Sequence, residues 1–213
     1  MTLGILCGLE VEAALARRVR DAHVACAAAR PQQARLAARG LIAQGATRLL
    51  SFGLAGGLDT SLPAGTILIG AAVATEAALW SCDENWGADL LRRLPMAQSG
   101  ALWGSETIVA SARDKQALYA KTRCLAADME SQAVAEVAAA SRVPFAALRV
   151  IADTATMNVP PAALVPLRSD GRVDLGHVLL NLLRQPCQLP ELIRLGLNTQ
   201  LAKRQLSLAA TAL

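Results

Sequence analysis

Short apolar runs that close on a glycine or an acid, each followed by helix-forming residues, recur along this chain and restrict it to an alternating α/β fold. Residues 2–8 (TLGILCG) form the first such run, and residues 9–20, rich in alanine, leucine and charge, suit a helix. Residues 24–28 read as a second short strand. A helix follows over 31–44, with Pro31 in its first turn and Gly45 just past its end. Residues 48–52 return as a buried strand, strand and turn signals occupy 65–73, and 100–109 reads as a strand ahead of a polar helix near 113–121. Residues 123–127 lead into a helix over about 130–140, and 144–151 (PFAALRVI) is the nearly continuous apolar run of a strand covered on both faces. This order predicts a mostly parallel sheet with helices on both sides. No repeat, low-complexity tract or linker divides it, so one domain is expected.

With 54% hydrophobic residues and a mean hydropathy of +0.36, the 213-residue chain can bury a full core and still hold apolar surface for a subunit interface or a greasy ligand. No run reaches the roughly 18 to 20 apolar residues of a membrane span, since the closest, 66–80, carries Glu76. The first twelve residues lack a basic leader, and a cytoplasmic location is expected, with peripheral membrane contact left open. Five cysteines, at 7, 26, 82, 124 and 187, form no CxxC pair and stand beside only His23 and His177, so neither a disulfide framework nor a metal site is expected. Of the net charge of +4, Arg184, Arg194, Lys203 and Arg204 against Glu191 place +3 in the last thirty residues. Aromatics make up 3% of the chain and its body has no basic run, which argues against nucleic acid as a partner. Leu189, Ile193, Leu197 and Leu201 recur every four residues, marking residues 186–213 as an amphipathic basic helical tail behind a catalytic domain over 1–185.

In an open parallel sheet, ligands bind beyond the carboxyl ends of the strands. Glu10 and Glu12 follow the first strand, the glycine turn Gly53–Gly57 (GLAGG) follows the strand ending at Phe52, Asp128 and Glu130 follow Ala127, and Asp153 follows Ile151. Such a sheet brings them to one pocket holding several carboxylates and a bare backbone turn. That set suits glycosidic cleavage, in which carboxylates stabilise an oxocarbenium-like sugar and an acid protonates the departing base. The bare turn would let backbone N–H groups approach a ligand. Each feature has a plainer reading as well, because glycines also end strands and single acids also favour helix starts.

The segments GILCGLEVEA (4–13), SFGLAGGL (51–58), AADMESQAVA (126–135) and RVIADTA (149–155) together resemble the nucleoside phosphorylase and methylthioadenosine nucleosidase superfamily, in the family's order. The resemblance implies a three-layer α/β sandwich with a mixed, mostly parallel central sheet. It makes Glu12 the group that activates an attacking water and Asp153 the acid that protonates the purine. Glu130 with Met129 would hold the ribose, and Gly53, Ala55, Gly56, Gly57 and Ile108 would contact the base or an anion. Met129 and Ile108 also fit plain core packing. The chemistry asks for a raised pKa on Asp153 and an ionised Glu12.

The chain departs from the pattern where Leu54 replaces a serine of the glycine turn and where Ser51 and Phe52 precede it without an arginine. Phosphate therefore loses a donor and stays open as a co-substrate only through the amides of 53–57, Ser105 or Arg30; no other cofactor is expected. The short region before the glycine turn and the tail after Gln185 resemble the hopanoid-associated branch, which implies release of adenine from adenosylhopane, a lipid-linked purine nucleoside. The alternatives are a methylthioadenosine/S-adenosylhomocysteine nucleosidase or a general purine nucleoside phosphorylase, and, in another class, a nucleoside-binding protein without catalysis. A homo-oligomer is expected, with a dimer favoured.

Overall fold

The computed structural model describes residues 2–164, 168 and 170–213. Eight strands run in chain order as β1 (Leu3–Cys7), β2 (Ala22–Cys26), β3 (Arg48–Gly57), β4 (Ile67–Ala74), β5 (Leu79–Ser81), β6 (Gln98–Gly104), β7 (Ala126–Asp128) and β8 (Phe145–Asp153). The helices are α1 (Glu10–Ala16), α2 (Pro31–Ala43), α3 (Glu84–Arg93), α4 (Ala112–Thr122), α5 (Ser131–Ser141), α6 (Leu175–Arg184) and α7 (Leu189–Thr211). β5 and α3 add to the expected elements; Asp83 caps α3 by accepting the N–H of Trp86 at 2.9 Å.

The sheet is mixed and mostly parallel. β1 lies parallel between β2 and β3, and β8 runs parallel to β3 and antiparallel to β4. β6 runs parallel to β4 and to β7, and β5 folds back on β4 at the edge. The far end of β3 pairs antiparallel with β7 through Gly56 and Gly57, so β3, β8, β4, β6 and β7 close into a ring. The sequence puts a turn at Gly53–Gly57, but in the structure these residues continue β3: register with β8 runs to Gly56 opposite Asp153, with one irregularity after Ala55. Partners on both sides supply the hydrogen bonds that hold a glycine run in strand conformation. This closure brings the three residues of β7 beside the carboxyl ends of β3 and β8.

Helices cover both faces, as the alternation predicts. On one side Ala34, Ala38 and Leu41 of α2 and Ala133, Val134, Ala135, Val137 and Ala138 of α5 pack on Leu49, Leu68, Ala147 and Ile151. On the other, Ala13 and Ala16 of α1 and Leu90 of α3 meet Leu50, Phe52, Ile69, Leu148 and Val150. Small side chains on α2 and α5 let helix and sheet approach closely. Arg142, in the left-handed region, ends α5 and turns the chain back into β8.

The tail set apart in the sequence is built into this second layer over its last turns: Ala202, Leu206, Ala209 and Ala210 of α7 are buried beside β8. Its leucine stripe, Leu189, Ile193, Leu197 and Leu201, points to solvent instead. The helix thus packs by its small residues, which permit close contact with β8, and leaves the repeat of large ones outside. Among the described residues, no helix is long and apolar enough to cross a membrane. Leu206 is fully buried, and Leu206→Ala is expected to lower unfolding free energy by about 2–5 kcal/mol, read by chemical denaturation. A loss within error of zero would place α7 outside the cooperative core.

Candidate active site

Arg149 stands in the middle of β8 with its side chain wholly buried. A guanidinium in such a place must be paired and fully hydrogen-bonded. Its Nη2 donates to Ser51 Oγ (2.6 Å), Asp128 Oδ1 (2.8 Å) and Ser131 Oγ (3.2 Å), its Nε to Ser131 Oγ (3.3 Å), and its Nη1 to the Leu54 carbonyl (3.4 Å). Glu130 Oε2 lies 3.4 Å from Nη1. Asp128 Oδ1 also accepts the N–H groups of Glu130 (2.9 Å) and Ser131 (2.7 Å), tying the start of α5 to the same cation.

Two carboxylates complete the cluster. Glu12 Oε2 accepts the N–H groups of Gly8 (3.0 Å) and Leu9 (2.8 Å), and its Oε1 accepts that of Leu54 (2.8 Å). Burial raises its pKa, while Arg149 and the three N–H donors pull it back. Glu130 is pushed up to about 8: burial raises it, Arg149 opposes, and the neighbouring Asp128 and Glu12 raise it further. One guanidinium cannot offset three carboxylates in a dry site, so the balance on Glu130 is shifted toward its neutral form. Glycines make room for both acids. A Cβ at Gly8 would collide with the Glu130 carboxyl group, and one at Gly53 would stand 2.7 Å from Glu12 Oε2. The expected role of Gly53 as an open backbone facing a ligand therefore gives way to a different one, space for Glu12.

Asp153, the last residue of β8, is reached by a lysine that sequence reasoning missed. Lys115 of α4 is fully buried; its Nζ donates to Asp153 Oδ2, to the Thr154 carbonyl at 3.1 Å and to the Met157 carbonyl at 2.9 Å. Burial raises the Asp153 pKa and the ammonium opposes it. Direction alone thus does not separate Asp153 from Glu12, since burial raises both; their partners separate them, an ammonium for one and backbone amides for the other.

These groups line one cavity of about 730 Å³. It gathers Glu12, Met129, Glu130, Asp153, Ala55, Gly56 and Ile108 from the expected set, together with Leu54, Ser105, Lys115 and Asp128. Gly53 and Gly57 do not line it; Gly57 packs against Ile151 and Ala155. Ile108 sits in the loop after β6, half exposed, and not in a strand or in the core. Glu10 turns away on α1 and pairs with Arg17 (2.6 Å). Of the groups that could have held phosphate, Arg30 is exposed outside the cavity, and Ser105 Oγ donates to the Thr107 carbonyl (2.6 Å). No group of three or more His, Cys, Asp or Glu among the described residues is arranged to hold a metal ion. The α6 and α7 side of the cavity is mostly apolar, with Val173, Leu175, Val178 and Leu179 around α6 and Leu192 and Leu195 of α7, and α7 adds Thr199, Gln200 and Lys203.

The chain superposes on several solved structures. A 5′-methylthioadenosine/S-adenosylhomocysteine nucleosidase of Helicobacter pylori matches all of this chain and 95% of its own at a TM-score of 0.73 and 16% identity. An S-adenosylhomocysteine nucleosidase of Streptococcus pyogenes, in complex with 5-methylthiotubericidin, matches 73% of this chain and 85% of its own (0.67, 17% identity). The futalosine hydrolase of Helicobacter pylori matches 72% and 88% (0.66, 18% identity). At these identities the likeness speaks for the fold. No curated protein matches by sequence. The family model for the Phosphorylase superfamily matches residues 29–164, more than half of the chain, and includes the segments that supply Asp128, Glu130, Arg149 and Asp153. On that match, and with the fold in agreement, the chain belongs to the Phosphorylase superfamily.

Proposed function

We propose that the protein hydrolyses the N-glycosidic bond of an adenine nucleoside carrying a large apolar 5′ group, with adenosylhopane as the specific candidate. The observation that carries this reading is the division of one cavity into a carboxylate end, with Glu12, Glu130 and Asp153, and a leucine-lined end built by α6 and α7. Structural likeness to nucleosidases of the same superfamily supports the reaction class.

In this reading Asp153 gives its proton to the purine as the bond to C1′ breaks, and Lys115 fixes the carboxyl group through the hydrogen bond to Oδ2. Glu130 accepts ribose hydroxyls while Met129 packs on the sugar. Glu12 takes a proton from the attacking water, and the carboxylates together stabilise positive charge developing on the ribose ring. Water is favoured over phosphate as nucleophile because the two buried cations at this end are already engaged, Arg149 donating to Ser51, Ser131, Asp128 and Leu54 and Lys115 to Asp153, Thr154 and Met157. A phosphate dianion there would face three acids. The apolar end receives the 5′ substituent.

Incubation with adenosylhopane and with methylthioadenosine, with and without phosphate, is expected to release adenine and a free sugar at rates independent of phosphate, faster for the lipid nucleoside. A ribose 1-phosphate product, or no base released from either substrate, would overturn the reading. Asp153→Asn should lose at least about 10² in rate while nucleoside binding is retained, because an amide cannot supply the proton. Asp153 works only when protonated, so activity should fall as pH rises through its raised pKa. Lys115→Met removes the ammonium that opposes burial and should move that descending limb up by about one pH unit or more; a limb that stays in place would detach Lys115 from Asp153. Ribose hydroxyls donating to Glu130 favour its ionised form, so nucleoside binding near pH 7 should release a proton. Calorimetry in buffers of different ionisation enthalpy reads this directly, and Glu130→Gln should abolish the release.

A further inference from the structure

Globular helices pack their leucines inward and face solvent with polar residues. α6 and α7, besides the residues they bury, turn a row of large apolar side chains outward. Leu175, Leu179 and Leu183, one turn apart on α6, are 70%, 60% and 80% exposed, and on α7 Ile193, Leu197 and Leu208 are each more than half exposed. Three of the ten residues of α6 are thus outward-facing leucines on one stripe, more than scattered surface apolarity accounts for. The stripe is continuous with the cavity, because Leu175 and Leu179 belong to both.

The charges among these leucines say what covers them. Arg184, Arg194 and Arg204 are exposed, and among the described residues none is in an ion pair; Glu191 is the sole acid within the two helices. A second copy of the chain packed across this face would set arginine against arginine with little acid to compensate. A surface of anionic headgroups over acyl chains matches both features: arginines at the headgroups, leucines below them. No described helix can span a bilayer, so the contact is peripheral.

We propose that the outer face of α6 and α7 docks on an anionic lipid membrane and turns the mouth of the cavity toward it, so that a lipid-linked nucleoside passes from the bilayer into the site without crossing water. Docking is read from the surface alone; the passage of substrate rests on the function proposed above.

The test is flotation of the full-length protein with vesicles of phosphatidylcholine alone and of phosphatidylcholine mixed with phosphatidylglycerol, at low and high salt. Binding is expected to the mixed vesicles and to weaken with salt. The variant Leu183→Ser/Ile193→Ser/Leu197→Ser, none of whose positions lines the cavity, should lose at least about tenfold in partitioning. Arg184→Gln/Arg194→Gln/Arg204→Gln should lose about fivefold per residue toward anionic vesicles. Both variants should keep the wild-type unfolding midpoint and the wild-type rate on a soluble adenosine nucleoside. That rate tests the proposed reaction independently: adenine release without vesicle binding would overturn docking alone, and vesicle binding without adenine release would overturn the reaction alone. Failure of the wild type to float with the mixed vesicles, or a leucine variant that changes sedimentation from oligomer to monomer and leaves flotation untouched, would overturn the proposal and assign the face to a second copy.

Discussion

A positive charge inside a sheet is tolerated only if the protein surrounds it with acceptors, and Arg149 imposes that demand on three elements of the fold. Ser51 and Leu54 come from β3, Asp128 from β7, Glu130 and Ser131 from the start of α5. Nε donates to Ser131 alone, so removing that hydroxyl would leave a buried donor unpaired, and removing Asp128 would take away a buried counter-charge; both costs fall on stability whatever the residue does in catalysis. The acids gathered around the guanidinium are therefore held for two reasons at once. Burial that makes the pairing costly also raises the pKa values of Glu12 and Glu130. Site chemistry and fold stability share one electrostatic origin.

The cluster explains why small residues stand where they do. Gly8 and Gly53 have no side chain because Glu130 and Glu12 occupy the space a Cβ would need. The family's glycine turn is here a strand segment whose service to the site is vacancy. Leu54 contributes its backbone, N–H to Glu12 and carbonyl to Arg149, while its side chain lines the cavity and packs partly buried against the second core layer.

Part of this was legible in the sequence, for a physical reason: residues after the ends of parallel strands converge, so Glu12 after β1 and Asp153 after β8 could be gathered without coordinates, whereas Glu130 reaches them although the three-residue β7 runs antiparallel to β3. The rest was hidden in different ways. Glu10 and Glu12 are two residues apart, which on a helix is about 200° and so opposite faces, yet spacing alone does not say which of the two looks inward. Lys115 lies within RDKQ, where nothing marks one cation for burial. Arg149 did carry a signal, a lone charge in the apolar run PFAALRVI, where only pairing makes it tolerable. On α7 the four-residue repeat identified an apolar stripe but not the side that packs, because Ala202 and Ala209 bury well without standing out in a periodicity of leucines.

The closed ring of strands has a further consequence for how the chain is made. β3 is complete by residue 57, but its partners β7 and β8 begin only at residues 126 and 145, and α7 closes the layer beyond them. Until then the nascent chain carries a ten-residue apolar strand with one edge unmatched and the acceptors of an arginine not yet made. Pairing over such sequence distances is slow, and an open edge of this kind is where strands of neighbouring molecules add. The closed arrangement delays assembly of the site until β8 and α7 have emerged, and makes the interval before β8 emerges the time when the chain depends most on protection from its own kind.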